Sequence, residues 1–304
     1  MEFKILILGN GSAIPKLGYH PHSQLLFHDT DKGYLIDCGE STQMRLIDNA
    51  IRFNKITKIF ITHLHGDHFF GLFGLLSSMS LLQRKKALDI YAPQGLKKII
   101  DTIFNISVNK LNYSIKIHEV YTTKYSVISS DNSLEVYSIP LAHSIPCCGF
   151  LFKEIRKTGF DKNKIKRYDL KPSLVQLLKE DKDIVIDGKI FKPHFFKHST
   201  PKSARSYAYI TDTMYTESII PLIKNVDLMY HEATYAQDAK ERAPHTYHST
   251  AKHAALIAKK AEVKKLIIGH LSNRYNSPIL HIDEAQDIFQ NSHYAQQYTY
   301  FDIP

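Results

Sequence analysis

The segment His63-Leu64-His65-Gly66-Asp67-His68 places three imidazoles and a carboxylate within six residues. It follows Lys58-Ile59-Phe60-Ile61-Thr62, a β-branched and aromatic run that reads as a buried strand. It precedes residues 69–76, which read as the entry to a buried helix. In an extended segment His63 and His65 point the same way, because side chains alternate with a period of two. Gly66 permits a sharp turn, after which Asp67 and His68 reach a second position close by. Imidazole and carboxylate together suit zinc and its neighbours, and this density suits two ions better than one.

Six residues cannot complete two metal shells, since each ion takes about four ligands, with one position open to water in a catalytic site. The remaining ligands are expected at the ends of other strands. His143 follows a strand-like run over residues 134–141, Asp212 ends Ser206-Tyr207-Ala208-Tyr209-Ile210-Thr211, and His270 ends Lys265-Leu266-Ile267-Ile268-Gly269. Each alone could be an ordinary strand-end polar residue; their shared placement makes them ligand candidates. Asp37, in Asp37-Cys38-Gly39, reads equally as turn chemistry.

These residues resemble the metallo-β-lactamase superfamily and, within it, the ribonuclease Z family. The narrower resemblance rests on residues 35–43, on Thr62–His68 with Gly71, Gly74 and Ser77-Ser78, on His231-Glu232-Ala233-Thr234 and His248-Ser249-Thr250, and on Gly269-His270-Leu271-Ser272-Asn273-Arg274-Tyr275. It covers nearly the whole chain. It implies one metal on His63, His65, His143 and Asp212, and a second on Asp67, His68, His270 and a bridging Asp212. Two Zn2+ per subunit are the implied cofactors, and the same ligands can hold Mn2+ or Fe2+. Asp37 would fix the metal turn from beneath, with His231 also in the outer layer. The implied reaction removes the 3′ trailer of precursor tRNA, leaving a tRNA 3′-hydroxyl and a 5′-phosphorylated trailer. In it, water activated by two metals attacks the phosphodiester. Asp67 would take the water's proton, and His248, oriented by Glu232, would supply one to the leaving oxygen. Without the resemblance, His248 is a helix-entry residue and Glu232 a loop carboxylate. A dinuclear hydrolase of small phosphodiesters, esters or lactones shares the same ligands, and an RNA-binding protein with a degenerate site is a third alternative.

Strands are expected near residues 3–8, 24–27, 34–36, 58–61, 89–92, 134–139, 150–153, 207–210, 227–230 and 265–268, and helices near 42–49, 70–82, 96–104, 250–260 and 283–291. Ala251, Ala254, Ala255 and Ala258 recur at helical spacing, so that helix can pack closely on a sheet. Alternation alone also permits a doubly wound parallel sheet. The resemblance implies the α/β class with a metallo-β-lactamase αβ/βα sandwich: two facing mixed sheets with helices outside. Residues 1–304 are read as a single domain of that fold.

The Lys-, Asp- and Ile-rich segment 154–192 interrupts the pattern, with Lys162-Asn163-Lys164-Ile165-Lys166-Arg167 at its centre. A charge run of this kind is ordinarily a solvated surface. The family carries a tRNA-gripping arm at this place, which makes Lys164, Lys166 and Arg167 candidate phosphate contacts. Arg274 is another. The family's Gly-Pro-rich arm tip is replaced here by Leu170-Lys171-Pro172-Ser173-Leu174. Ser41 stands where glycine is usual, and Met79 where arginine often is.

Lys and Arg exceed Asp and Glu by 39 to 30, a net charge of +9 that suits a polyanionic partner. Cys38, Cys147 and Cys148 form no disulfide pattern, the chain opens on a strand-like run rather than a leader, and no apolar run reaches membrane-spanning length. A cytoplasmic enzyme without a membrane partner is expected; the resemblance adds a homodimer. Gly9-Asn10-Gly11 lacks the third glycine of a dinucleotide loop. Pro193 argues against a helical metal pair of His194 and His198.

Overall fold

The structure is a computed structural model, and it describes residues 2–14, 16–28, 32–107, 110–155, 159–197 and 204–304. His198 lies outside the described residues. The chain divides into two compact units. One combines Met1–Lys153 with Arg205–Pro304; the other is Glu154–Ala204.

The first half of the larger unit supplies β1 (Phe3–Gly9), β2 (Ser23–His28), β3 (Gly33–Ile36), β4 (Ile56–Phe60), β5 (Leu88–Ala92) and β6 (Ile115–Glu119). Then come β7 (Ser126–Ser130), β8 (Leu134–Pro140) and β9 (Cys148–Glu154), the smaller unit's hairpin β10 (Ile184–Ile186) and β11 (Lys189–Phe191), and β12 (Ser206–Ile210), β13 (Leu228–Glu232), β14 (Lys265–Gly269), β15 (Ser292–Tyr294) and β16 (Tyr300–Asp302). One seven-stranded sheet runs β16-β1-β2-β3-β4-β5-β6 and the other β15-β14-β13-β12-β9-β8-β7. Both are mixed: β3 to β6 are parallel while β1 and β2 are antiparallel, and β12 to β15 are parallel while β9 opposes β12.

The strands' own alternation builds the layers. In β1, Phe3, Ile5 and Ile7 enter a core shared by both sheets, where they join Phe60, Phe150, Tyr207, Tyr209 and Tyr230. Leu6 and Leu8 of the same strand face the opposite way, into a core shared with α1 (Thr42–Asp48) and, after the short α2 (Gly66–Phe69), with α3 (Leu72–Leu81) and α4 (Leu96–Ile106). In α3, Leu72, Leu75, Leu76 and Met79 are buried at i, i+3, i+4 and i+7, so Met79 fills core.

The smaller unit holds α5 (Lys162–Arg167), α6 (Pro172–Lys179) and α7 (Pro193–Phe196) around its hairpin. Leu178, Ile184 and Phe196 centre its own apolar cluster. The expected insertion thus extends past residue 192 to Ala204, because α7 delivers Phe195 and Phe196 to that cluster.

Back in the larger unit follow α8 (Arg242–His245), α9 (Ala251–Lys260) and α10 (Ile279–Gln286). The alanines of α9 pack with Met229, Leu266 and Ile268 on the outer face of the second sheet. Thr250 caps α9 by accepting from the His253 N–H, while the His253 side chain accepts from the Thr250 N–H. Helix α10 begins four residues before its expected start, directly after Pro278.

Candidate metal centre

The metal turn is built on the end of β4 and docked on the loop after β3. The Cys38 N–H donates to the His68 carbonyl at 2.7 Å and the Gly71 N–H to the Cys38 carbonyl at 2.9 Å. A Cβ on Gly71 would meet the Gly39 carbonyl oxygen at 2.0 Å, and one on Gly39 would meet the Asp67 carbonyl oxygen at 2.3 Å. Two glycines therefore let two backbones touch. Gly66 opens α2 directly after extended His65, at the expected turn, and a Cβ there would strike the Phe70 ring.

All seven candidate ligands converge. His63, His65, His143 and Asp212 form one group and Asp67, His68 and His270 another, with the ligand atoms of each group within 4.8 Å of one another. His63 Nε2 and His143 Nε2 lie 3.1 and 3.2 Å from His65 Nδ1. Asp212 lies between the groups: its Oδ2 is 3.6 Å from His63 Nε2 and 3.5 Å from His68 Nε2, and its Oδ1 is 3.4 Å from His270 Nε2. Asp67 Oδ2 is 3.4 Å from His68 Nε2 and 3.7 Å from His270 Nε2. A tetrahedral ion with bonds of about 2.0–2.1 Å separates its ligand atoms by about 3.3–3.4 Å, so these spacings suit a divalent cation. His68 Nε2 and His270 Nε2 are buried without a hydrogen-bond partner, as metal-facing nitrogens are.

Partners on the other ring nitrogens turn these imidazoles inward. His68 Nδ1 donates to Asp37 Oδ2 at 2.8 Å, and His143 Nδ1 to the Tyr247 carbonyl at 3.2 Å. Thr62 Oγ1 donates to Asp37 and so accepts from His63 Nδ1 at 3.0 Å. Thr234 Oγ1 donates to Glu232 Oε2 and so accepts from His270 Nδ1 at 2.9 Å. Asp37 also accepts from the Thr62 N–H and the Tyr209 hydroxyl. Thr62, Thr234, Tyr209 and Tyr247 carried no assigned role in the sequence. The two threonines sit inside the motif boxes, where a hydroxyl beside a ligand is the signal; the tyrosines gave none.

Asp37, Asp212 and His270 have φ of 56°, 40° and 60°, in the left-handed region that side chains seldom occupy. Strain of this kind costs on the order of 1 kcal/mol per residue and collects at functional sites. Burial opposes charge throughout the cluster. His270 and His68 nevertheless hold Asp212 well below the usual carboxylate range, and Asp212, Asp67 and Asp37 push His68 well above the usual imidazole value. The cluster calls for positive charge at its centre.

Beside the ligands stands a second arrangement. Glu232 is fully buried, and its Oε1 accepts from the Thr213 N–H, the Ser249 N–H and His248 Nδ1 at 3.1, 3.1 and 2.9 Å. Its Oε2 accepts from the Thr234 N–H and hydroxyl. Burial disfavours the His248 cation, but Glu232 and then Asp212 outweigh it and push the imidazole up to about 9. The His248 ring lies 5.3 Å from the His270 ring and 5.4 Å from the His143 ring. His65, Asp67, His143, Asp212, His270 and His248 line one cleft of about 650 Å3 that Ser12, Ala13, Ile14 and Arg274 also border, with His63 and His68 buried beneath it.

Two expected participants stand apart. His231 faces away from Glu232 on β13 and bonds the Glu232 carbonyl; among the described residues it touches no ligand. Met229, two residues before it on β13, packs against the α9 alanines, and His231 shares that face because strand side chains alternate. Lys164 donates to the Phe195 carbonyl and lies over that ring, so it braces the smaller unit, while Lys166 and Arg167 are exposed without ion pairs among the described residues.

A ribonuclease Z from Porphyromonas gingivalis is 40% identical over 291 residues, 95% of each chain. The chain belongs to the ribonuclease Z family. Human tRNase Z, short form, has a TM-score of 0.72 and 26% identity over 99% of both chains. The metallo-β-lactamase fold protein YhfI from Bacillus subtilis has a TM-score of 0.70 at 16% identity, covering 99% of this chain and all of its own. The fold of this ribonuclease Z family member is accordingly the metallo-β-lactamase sandwich. A family model described as Anti-Pycsar protein Apyc1 matches residues 3–165, just over half of the chain, so the chain falls in that family too. The metal turn and the Asp37 loop lie within that span.

Proposed function

We propose that this protein is a metal-dependent endoribonuclease that removes the 3′ trailer from precursor tRNA, leaving a tRNA 3′-hydroxyl and a 5′-phosphorylated trailer. One observation carries the reading: His248, held at 2.9 Å by buried Glu232, whose charge favours its cation, stands beside a cluster with donors for two divalent ions. His63, His65, His143 and Asp212 would hold one ion, and Asp67, His68, His270 and the shared Asp212 the other, with zinc favoured by the donor set and manganese or iron admissible. When bound, such ions lower the pKa of water and neutralise charge on a phosphate. Asp67 accepts the proton of the attacking water. His248 holds a proton for the departing 3′-oxygen, and Glu232 keeps that proton in place. Asp37 holds the metal turn by fixing His68 and Thr62.

Lys166 and Arg167 make the smaller unit an exosite for RNA phosphates, and Arg274 a phosphate contact in the cleft. A homodimer is supported by the exposed apolar side chains Met44 and Ile47 on α1 and Leu81 on α3. No helix among the described residues is long and apolar enough to cross a membrane, and the three cysteines are free and buried, in keeping with a cytoplasmic enzyme.

The test is cleavage of a 3′-extended precursor tRNA beside a chromogenic phosphodiester, with and without chelator. Chelator-sensitive cutting just after the discriminator base supports the reading. Hydrolysis of the small substrate alone would move the activity to small phosphodiesters. Replacing Lys166 and Arg167 by alanine should lower tRNA cleavage more than small-substrate hydrolysis and flatten its salt dependence.

A further inference from the structure

The cleft wall next to His248 carries a second charged group. Tyr235 is nearly buried, and its backbone is fixed to the segment behind His248: its N–H donates to the Ser249 carbonyl and its carbonyl accepts from Ala251. Its hydroxyl oxygen accepts from Arg242 Nε and Thr246 Oγ1, both at 3.2 Å. The Arg274 guanidinium lies 5.4 Å over the same ring. One phenol thus holds two guanidiniums, one through its oxygen and one over its face.

Both arginines are exposed, and neither has a carboxylate within 4.0 Å among the described residues. The nearby Asp238 is engaged by the Tyr275 hydroxyl at 2.6 Å. Arg242 uses Nε on Tyr235, which leaves its two terminal nitrogens as a fork without a protein acceptor among the described residues. Two guanidiniums held on one wall without a carboxylate partner offer positive charge to an anion, and a guanidinium fork matches phosphate oxygens. Arg242, Arg274, Tyr235 and Thr246 border the same cleft as the metal ligands.

The side of the cut follows from His248. Its ring is 6.4 Å from that of Tyr235, and it serves the departing 3′-oxygen, which belongs to the last nucleotide of the mature tRNA. We propose that Arg242 and Arg274, braced by Tyr235, form a subsite for the phosphate that precedes the scissile one, on the strand released as tRNA. This rests on the RNA reading above and assigns Arg242 a specificity-determining contact.

The experiment is a cycle between Arg242→Ala and a precursor RNA in which one phosphate is made neutral as a methylphosphonate, with the adjacent 2′-hydroxyl methylated in all substrates. Removing either partner of a charge-assisted contact should lower kcat/KM roughly tenfold. With the methylphosphonate before the scissile phosphate, the variant should lose nothing more than wild type loses. With it after the scissile phosphate, the two losses should multiply. Arg242→Lys should fall between, since a point charge replaces a fork. Bound metal and thermal midpoint, measured on each variant, identify a misfolded one, in which case Arg242→Lys supplies the cycle. Losses that multiply at the preceding phosphate, with wild type cutting normally, overturn the subsite alone. Wild type that cuts none of the RNAs overturns the RNA reading and the subsite with it.

Discussion

Glu232→Gln isolates the contribution of one negative charge at nearly constant volume. The carboxylate receives three donors on Oε1 and two on Oε2. An amide keeps one acceptor, so its oxygen should stay on the three-donor side while its NH2 faces the Thr234 N–H. The resulting donor–donor pair costs on the order of 1–3 kcal/mol of stability. The effect on chemistry is separate. Against burial, Glu232 and then Asp212 push His248 up from an ordinary 6.5 to about 9, and its side chain is only 16% exposed. Returning it toward about 6.5 removes about 3 kcal/mol of preference for the cation, at 1.36 kcal/mol per pH unit. The protonated fraction then falls roughly fourfold at pH 7 and roughly thirtyfold at pH 8. The assay is kcat/KM on precursor tRNA from pH 6 to 9.5, run beside a nitrophenyl phosphodiester whose leaving group departs without a proton. The alkaline fall in RNA cleavage should move from near 9 to near 6.5, and the small substrate should show no such displacement. A variant whose loss on RNA is the same factor at every pH, or whose profile shifts equally on both substrates, would refute the argument that Glu232 acts through the His248 proton.

Thr234→Val removes the hydroxyl that accepts from His270 Nδ1 and donates to Glu232. Affinity for the ion on the His270 side should weaken about 10–100-fold, read by metal titration, while the His63 side changes less. Gly71→Ala forces a methyl into the Gly39 carbonyl. With no flexible side chain to yield, the two loops must separate, and overpacking of this kind costs about 1–3 kcal/mol. A thermal midpoint within a degree of wild type would show that the close approach of these loops matters little.

The core strands were legible because each carries a run of apolar residues on one or both faces. Six strands went unmarked by the pattern: β10 and β11, the two-stranded hairpin of the smaller unit, and β6, β7, β15 and β16, the four edges of the two large sheets. They are short or polar, as in Ser126–Ser130 and Ser292–Tyr294, because an edge has one neighbour and exposes its other side. Hydrophobic pattern reports burial, and edges are where burial is least. The ligands were legible for a different reason: imidazoles and carboxylates at strand ends announce themselves by type. Their supports did not. Tyr209 and the Tyr247 carbonyl reach Asp37 and His143 through tertiary packing, and no local spacing encodes that contact.

The candidate ligands divide by sheet. His63, His65, Asp67 and His68 come from the end of β4, and His143, Asp212 and His270 follow β8, β12 and β14 of the opposite sheet. Ions held between them would fasten one sheet's loops to the other's, so the candidate metal centre would double as a joint. Metal supply would then set cohesion as well as turnover: at a thousandfold excess over the dissociation constant, one ion would add about 4 kcal/mol to the native state. A cell short of metal would hold a looser protein as well as an idle one, more open to proteolysis along the seam between its two sheets.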